Sequence, residues 1–295
     1  MVMWFNTLGA TADVWFAGDG TLVLQAFTTG QAPNDIVVLD DGTVAIVNSL
    51  SSTIQFMDPA VPGTVVSETP LPAGSNPYCA CDGGGSLWVT GLLSGTVYSV
   101  DLGTHSLGDS ITGLPSPSGI AWADGLIYVG CANWPVPGAH GTLVVDPVVG
   151  TVTDTVQTPE NTHSLRYFPG TGMIHAYSTT YTGDGAVSVI DPATGSVEAT
   201  VSSGGAPFPG ACSGGVFYSG DGYSSDSVFR YDEAGGLEML DAGCGIIGIA
   251  ALGDTLFMTC TTLDMVLVVD APSWTVLDTL QAGDGPLGVA IIPAR

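Results

Sequence analysis

Glu160, His163 and Arg166 fall within seven residues, in the stretch PENTHSLRYFPG, of a chain with only four histidines and three basic side chains in 295 positions. A histidine close to a carboxylate can act as a base with its orienter, the minimum for general acid–base chemistry. His175 lies on the strand that should follow in the same repeat, and His140 on a loop of the repeat before it. Glu160, His163 and His175 are therefore the candidate catalytic groups. The bland alternative is that each is an ordinary polar residue of one irregular repeat. An arginine at position 166 needs a carboxylate, backbone carbonyls or a bound anion. An internal acid is the leading expectation and a substrate anion the second.

Other side chains suited to binding lie on neighbouring loops. Trp134 and His140 occur in CANWPVPGAHGT, Tyr181 in STTYTGDGA, Phe208 in SSGGAPFPG and Tyr223 in SGDGYSSDS. With Arg166 they form the expected ligand-binding set. Asp184, Asp221 and Asp226 offer oxygens for Ca²⁺, but without the ligand spacing of an EF-hand loop. No other cofactor is expected. None of the six cysteines has C-x-x-C spacing. Cys244 precedes one expected strand and Cys260 ends its antiparallel neighbour, so a disulfide between them is a candidate. The glycine run CDGGGS at 81–86 lacks the strand before and the helix after that a phosphate loop requires.

Composition narrows the partners. Charged residues make up 11% of the chain, and the net charge of −25 arises from missing bases rather than abundant acids. So few cations exclude the phosphate contacts that dominate nucleic-acid binding, and anionic membrane surfaces should repel the chain. No apolar run reaches the length needed to span a bilayer, and no signal peptide is visible. The Gly, Ser and Thr content without lysine points to an extracellular or cell-surface protein. Expected partners are a protein or a small neutral or anionic ligand, with self-association as a further option.

The elements that must position these residues are written as a repeat. GTVAIVNSLSSTIQFMDPAVPGTVV (42–66), GSLWVTGLLSGTVYSVDLGTHSL (85–107) and four later segments share one plan. An alternating apolar strand and a polar loop lead to a second alternating strand ending in Asp, then a turn and a third strand. A short apolar strand precedes each unit, at Ile36, Tyr78, Ile120, Leu165, Ala211 and Ile249. Period-2 alternation on this spacing predicts four-stranded antiparallel blades. GPLGVAIIP (285–293) is a first strand with nothing after it, and the N-terminus supplies three strands with no first. Pairing them gives an all-β, seven-bladed β-propeller closed by the C-terminal strand, a single domain over 1–295.

PNDIVVLDDGTVAIVN (33–48), LIYVGCAN (126–133) and VSVIDPATGSVEATV (187–201) resemble the YVTN family of seven-bladed propellers, and the resemblance covers essentially the whole chain. It implies the fold; family members include surface-layer components, secreted binding proteins and enzyme subunits. GSLWVT (85–90) is faintly similar to the repeat of streptogramin lyases, none of whose residues match elsewhere in the chain.

The repeat also accounts for many acids. Asp19, Asp58, Asp101, Asp146, Asp191, Asp232 and Asp270 end or closely follow third strands, where a carboxylate can accept from turn N–H groups. Asp41, Asp82, Asp124 and Asp254 sit beside glycine in hairpins. The expected function is a non-catalytic binding or interaction propeller using the loop-rich face of the blades spanning 113–245. The alternatives are a lyase- or hydrolase-type enzyme with its site at the channel mouth, and a surface-layer or filament subunit.

Overall fold

The computed structural model describes residues 1–179, 183–222 and 225–293. Its strands form seven four-stranded antiparallel sheets, the blades of a β-propeller. The first blade is assembled from both ends of the chain: Pro286–Ile291 pairs with Val2–Asn6, followed by Thr11–Phe16 and Thr21–Thr28. In that closing pair Val2 faces Ile291, Met3 faces Ala290 and Trp4 faces Val289. The second to seventh blades follow in order over 33–70, 77–112, 117–156, 162–202, 211–241 and 246–281. The chain falls into two compact units. One holds 1–68, 208–232 and 238–295; the other holds 69–207 and 233–237.

Burial follows strand order within a blade. Second strands such as Val44–Asn48 are buried at every position, because sheets packed on both faces need near-continuous apolar runs. Fourth strands such as Leu107–Thr112 and Thr151–Val156 are mostly exposed. Their Ser, Thr and Asp content suits an outer edge, where an apolar strand would invite pairing with another chain.

Two features separate the strands from simple alternation. The first strands of four blades begin at Pro33, Pro77, Pro117 and Pro286, positions where a missing N–H costs no ladder bond. Most first strands also carry a bulge near their start, including one between Thr162 and Ser164. Strict period-2 alternation along Thr162–Phe168 therefore fails at its beginning. The inserted residue resets which face the next side chain takes, and Thr162 through Leu165 are all buried.

The punctuating acids act as turn acceptors. Asp101 Oδ1 accepts from Gly103 N and Thr104 N, Asp146 Oδ1 from Val148 N and Val149 N, and Asp191 Oδ1 from Ala193 N. Such bonds lower the carboxyl pKa of Asp101, where the Thr104 hydroxyl contributes most. The glycine run at 81–86 has a packing role. A Cβ on Gly83 would lie 2.1 Å from the Trp122 ring, which stacks on Trp88 at 6.4 Å between centroids. Tyr128 ties the fourth blade to the fifth through the Pro192 carbonyl at 3.1 Å.

Candidate functional site

The fourth and fifth blades bring several of the expected residues to one end of their strands. Gly130 pairs with Thr142 and Ser178 with Ala186, so the loops between second and third strands are long here. In the fourth blade this loop carries Asn133 to Gly141. It is braced from the loop leading into the fifth blade: Asn133 N donates to Asn161 Oδ1 and Asn133 Nδ2 to Glu160 Oε1, both at 3.1 Å. Asn161 itself has φ 58°, a left-handed conformation that Asn tolerates better than most residues. Its Nδ2 donates to the Thr179 carbonyl at 2.6 Å. Val136 is held from the other side, its N–H donating to Ser116 Oγ at 2.8 Å.

On this braced loop Trp134 is 56% exposed, with a cis bond to Pro135 and an exposed Val136 beside it. His140 folds back on its own loop, Nε2 lying 3.4 Å from the Val136 carbonyl. The result is an aromatic residue presented to solvent on a loop whose preceding residue, Asn133, is bonded to the Glu160 carboxylate.

The candidate catalytic trio does not assemble. Glu160 is exposed and bonded to Asn133. His163 is buried, with Nδ1 3.1 Å from Ser164 Oγ. Burial pushes its pKa down to about 4, against the opposing effect of a hydrogen bond to the Pro207 backbone carbonyl. His175 is fully buried on the second strand, opposite Arg166. Three residues along a strand separate it from His163, roughly 10 Å. His175 Nε2 lies 3.3 Å from Glu233 Oε1, and its ring is 4.7 Å from that of Phe168. The geometry is that of an ion pair, yet burial outweighs Glu233 and lowers the pKa to about 4. The contact is thus a hydrogen bond from a neutral imidazole near neutral pH.

Arg166 lies opposite His175 on its strand, with its side chain exposed. The guanidinium carbon lies 5.9 Å from the centre of the Phe168 ring. A long side chain on a narrow strand can leave the sheet and keep its charge in water.

The remaining expectations scatter. Phe208 is half-buried and packs over Gly222, with its N–H donating to the Gly220 carbonyl at 2.9 Å. Tyr181 and Tyr223 lie outside the described residues. Asp221 is buried and accepts from the Ser225 hydroxyl. Asp226 is exposed and uses its backbone carbonyl to accept Ala242 N at 2.8 Å. Asp184 is exposed on a different loop. Among the described residues no group of three or more His, Cys, Asp or Glu side chains is placed to hold a metal. Cys244 and Cys260 are joined as a disulfide, their Cα atoms 5.9 Å apart.

Sequence reasoning missed the residues that do most of the polar work. Glu233 stands 58 positions from His175, with no local sequence signal linking them. Asp13 is fully buried in the first blade and accepts from Trp4 Nε1 at 2.8 Å, Asn6 Nδ2 at 2.9 Å, Gln25 N at 2.6 Å and Gly283 N at 2.8 Å. Gln55 holds the matching place in the second blade, accepting from Gly30 N at 2.9 Å and Asn48 Nδ2 at 3.1 Å. The two share a signal: an Asn seven residues earlier, at Asn6 and Asn48.

Comparison with known proteins yields the class of fold. Hydrazine synthase of Kuenenia stuttgartiensis superimposes with a TM-score of 0.72 at 16% identity, covering 90% of this chain and 92% of that one. A streptogramin B lyase gives 0.71 at 15% identity over 87% and 86%. Virginiamycin B lyase from Staphylococcus aureus gives 0.70 at 15% identity over 87% of each chain. At such identities the likeness is one of fold: the chain is a seven-bladed β-propeller. No family model and no curated relative matches it.

Proposed function

We propose that the protein is a non-catalytic binding propeller, and that it takes its ligand at the braced loop of the fourth blade around Trp134. The observation that carries this reading is the exposed indole held on a loop pinned by Asn161, Glu160 and Ser116. An exposed aromatic on a preorganised loop binds at small cost in ordering. The chemistry fits a small neutral ligand with a flat apolar face and hydroxyl groups, such as a saccharide. The apolar face stacks on the indole, and hydroxyls reach the Asn133 amide and Glu160 carboxylate. The Glu160 charge disfavours an anion at the same place.

The lyase or hydrolase alternative is less well supported, because Glu160, His163 and His175 each engage a different partner. The Cys244–Cys260 disulfide supports an oxidising, extracytoplasmic location.

The test is calorimetric titration of neutral oligosaccharides into the wild type and Trp134→Ala. The expected result is binding that weakens by roughly ten-fold or more in the variant, with the thermal midpoint unchanged. Binding indifferent to Trp134, or a turnover activity that disappears in His163→Ala, would overturn the proposal.

A further inference from the structure

We infer that the seventh, first and second blades carry a docking rim, formed by Leu263, Leu8 and Leu50, for a partner protein that presents an apolar, cationic surface. The three leucines lie on equivalent loops between second and third strands. Each loop has four residues between paired ends, Cys260 with Met265, Asn6 with Thr11 and Asn48 with Thr53. In each the fourth residue is left-handed: Asp264, Ala10 and Ser52, with φ between 48° and 53°. Leu8 and Leu50 occupy the same place in this turn, and Leu263 comes one residue later. They are 73%, 70% and 54% exposed. One exposed leucine means little. Three on consecutive blades, each at a loop tip otherwise made of Gly, Ala, Ser, Thr and Asp, form a repeated apolar feature of the kind that marks an interaction surface.

These tips are held rigidly. Thr7 N donates to the Gly285 carbonyl at 2.8 Å and Gly9 N to the Asp284 carbonyl at 3.0 Å. Leu50 N donates to the Gln31 carbonyl at 3.1 Å, and Gly285 N to Asp264 Oδ1 at 2.9 Å. Thr261 Oγ1 reaches the Pro286 carbonyl at 2.6 Å and Thr7 Oγ1 the Pro33 carbonyl at 2.8 Å, which lock the seventh blade to the first and the first to the second. Beneath the Leu8 loop lies the Asp13 cluster, and at the base of the Leu263 loop the disulfide of Cys260. A surface fixed in advance loses little freedom on binding.

Charge selects the occupant. Asp264 and Asp284 are exposed beside the leucines, and no Lys or Arg occurs in 7–10, 29–32, 49–52, 261–264 or 282–285. A second copy would bring its own net charge of −25 to this acidic surface. A purely apolar partner would strip water from both carboxylates without compensation. A cationic, apolar protein surface answers both features and gains steering from the chain's overall field.

This inference rests on different residues from the Trp134 reading, and each can fail alone. The test uses a short synthetic peptide alternating Leu and Lys, which as a strand presents one apolar and one cationic face. A Ser/Lys peptide of equal charge is the control, and binding is read by fluorescence anisotropy. Wild type is expected to bind the Leu/Lys peptide more tightly than the control. Leu8→Ser/Leu50→Ser/Leu263→Ser should lose about ten-fold for Leu/Lys and nothing for Ser/Lys. Asp264→Asn/Asp284→Asn, which keeps the acceptor to Gly285 N, should reduce the salt dependence of binding. The single variant Leu50→Ser should show a smaller loss in the same direction, which guards against a folding defect in the triple variant. Equal binding of the two peptides, an unchanged triple variant, or light scattering showing a dimer that the triple variant abolishes, would each overturn the inference.

Discussion

The first and fifth blades both bury ionisable side chains, and they treat them in opposite ways. In the first, Asp13 is enclosed by four N–H donors drawn from two side chains and two backbone groups. In the fifth, His163 and His175 are enclosed on their strands, and burial drives both towards the neutral form. The lesson is one of supply. A buried carboxylate needs donors at its lone pairs, whereas desolvation disfavours the charged form of a buried imidazole. Burial thus holds both fifth-blade histidines neutral near pH 7, with pKa values lowered to about 4.

The largest effect should come from the first blade. Asp13→Ala removes the shared acceptor of four donors, two in buried bonds and one the Gly283 N–H that fastens the closing strand's loop, and is expected to cost about 3–5 kcal/mol. Urea unfolding measures it, and a loss below about 1 kcal/mol would break the comparison. In the fifth blade the corresponding perturbation is acid. Above pH 6.5 both histidines are neutral whether folded or unfolded. As the pH falls from 6.5 towards about 4 the unfolded chain takes up protons that the native state refuses, so stability declines across that window. The loss approaches at most roughly 3 kcal/mol per histidine and levels off below the folded pKa. Unfolding midpoints measured across this range should slope downward in the wild type and flatten in His163→Gln/His175→Gln.

Smaller changes sharpen the contrast. Gln55→Ala removes an acceptor with two donors rather than four, and should cost about 1–2 kcal/mol. Smallest in stability is Glu233→Gln, expected to shift the free energy by about 0.5 kcal/mol or less near neutral pH, since the amide oxygen can still accept from His175. Without the carboxylate's charge, the His175 pKa should fall further. An NMR titration that shows it rising would contradict the assigned balance of burial and Glu233.

Much of the architecture was legible because the second to seventh blades write the same punctuation: a glycine-bearing hairpin, a polar loop, and an acid at or just after the third strand. The unpaired strand at 286–291 announced its partner by having no companions. What escaped were residues whose partners lie far away in sequence or whose side chains contradict the pattern. Asp13 sits mid-strand, where alternation offers no reason to expect a buried carboxylate, and only its spacing from Asn6, repeated by Asn48 and Gln55, gives it away. The grouping of Glu160, His163 and His175 failed for a geometric reason. Residues close in sequence are spread along an extended strand, and a bulge at 162–164 resets the faces.

The pairing of Val2 with Ile291 brings Met1 N to 3.0 Å from the Ile292 carbonyl. During synthesis the first blade therefore waits, one strand short, until every other blade strand has left the ribosome, so its latch fastens last. A short peptide bridge across this seam, with new ends opened at the exposed turn around Val148 and Val149, should give a permuted chain that folds to the same wheel by a different order of assembly.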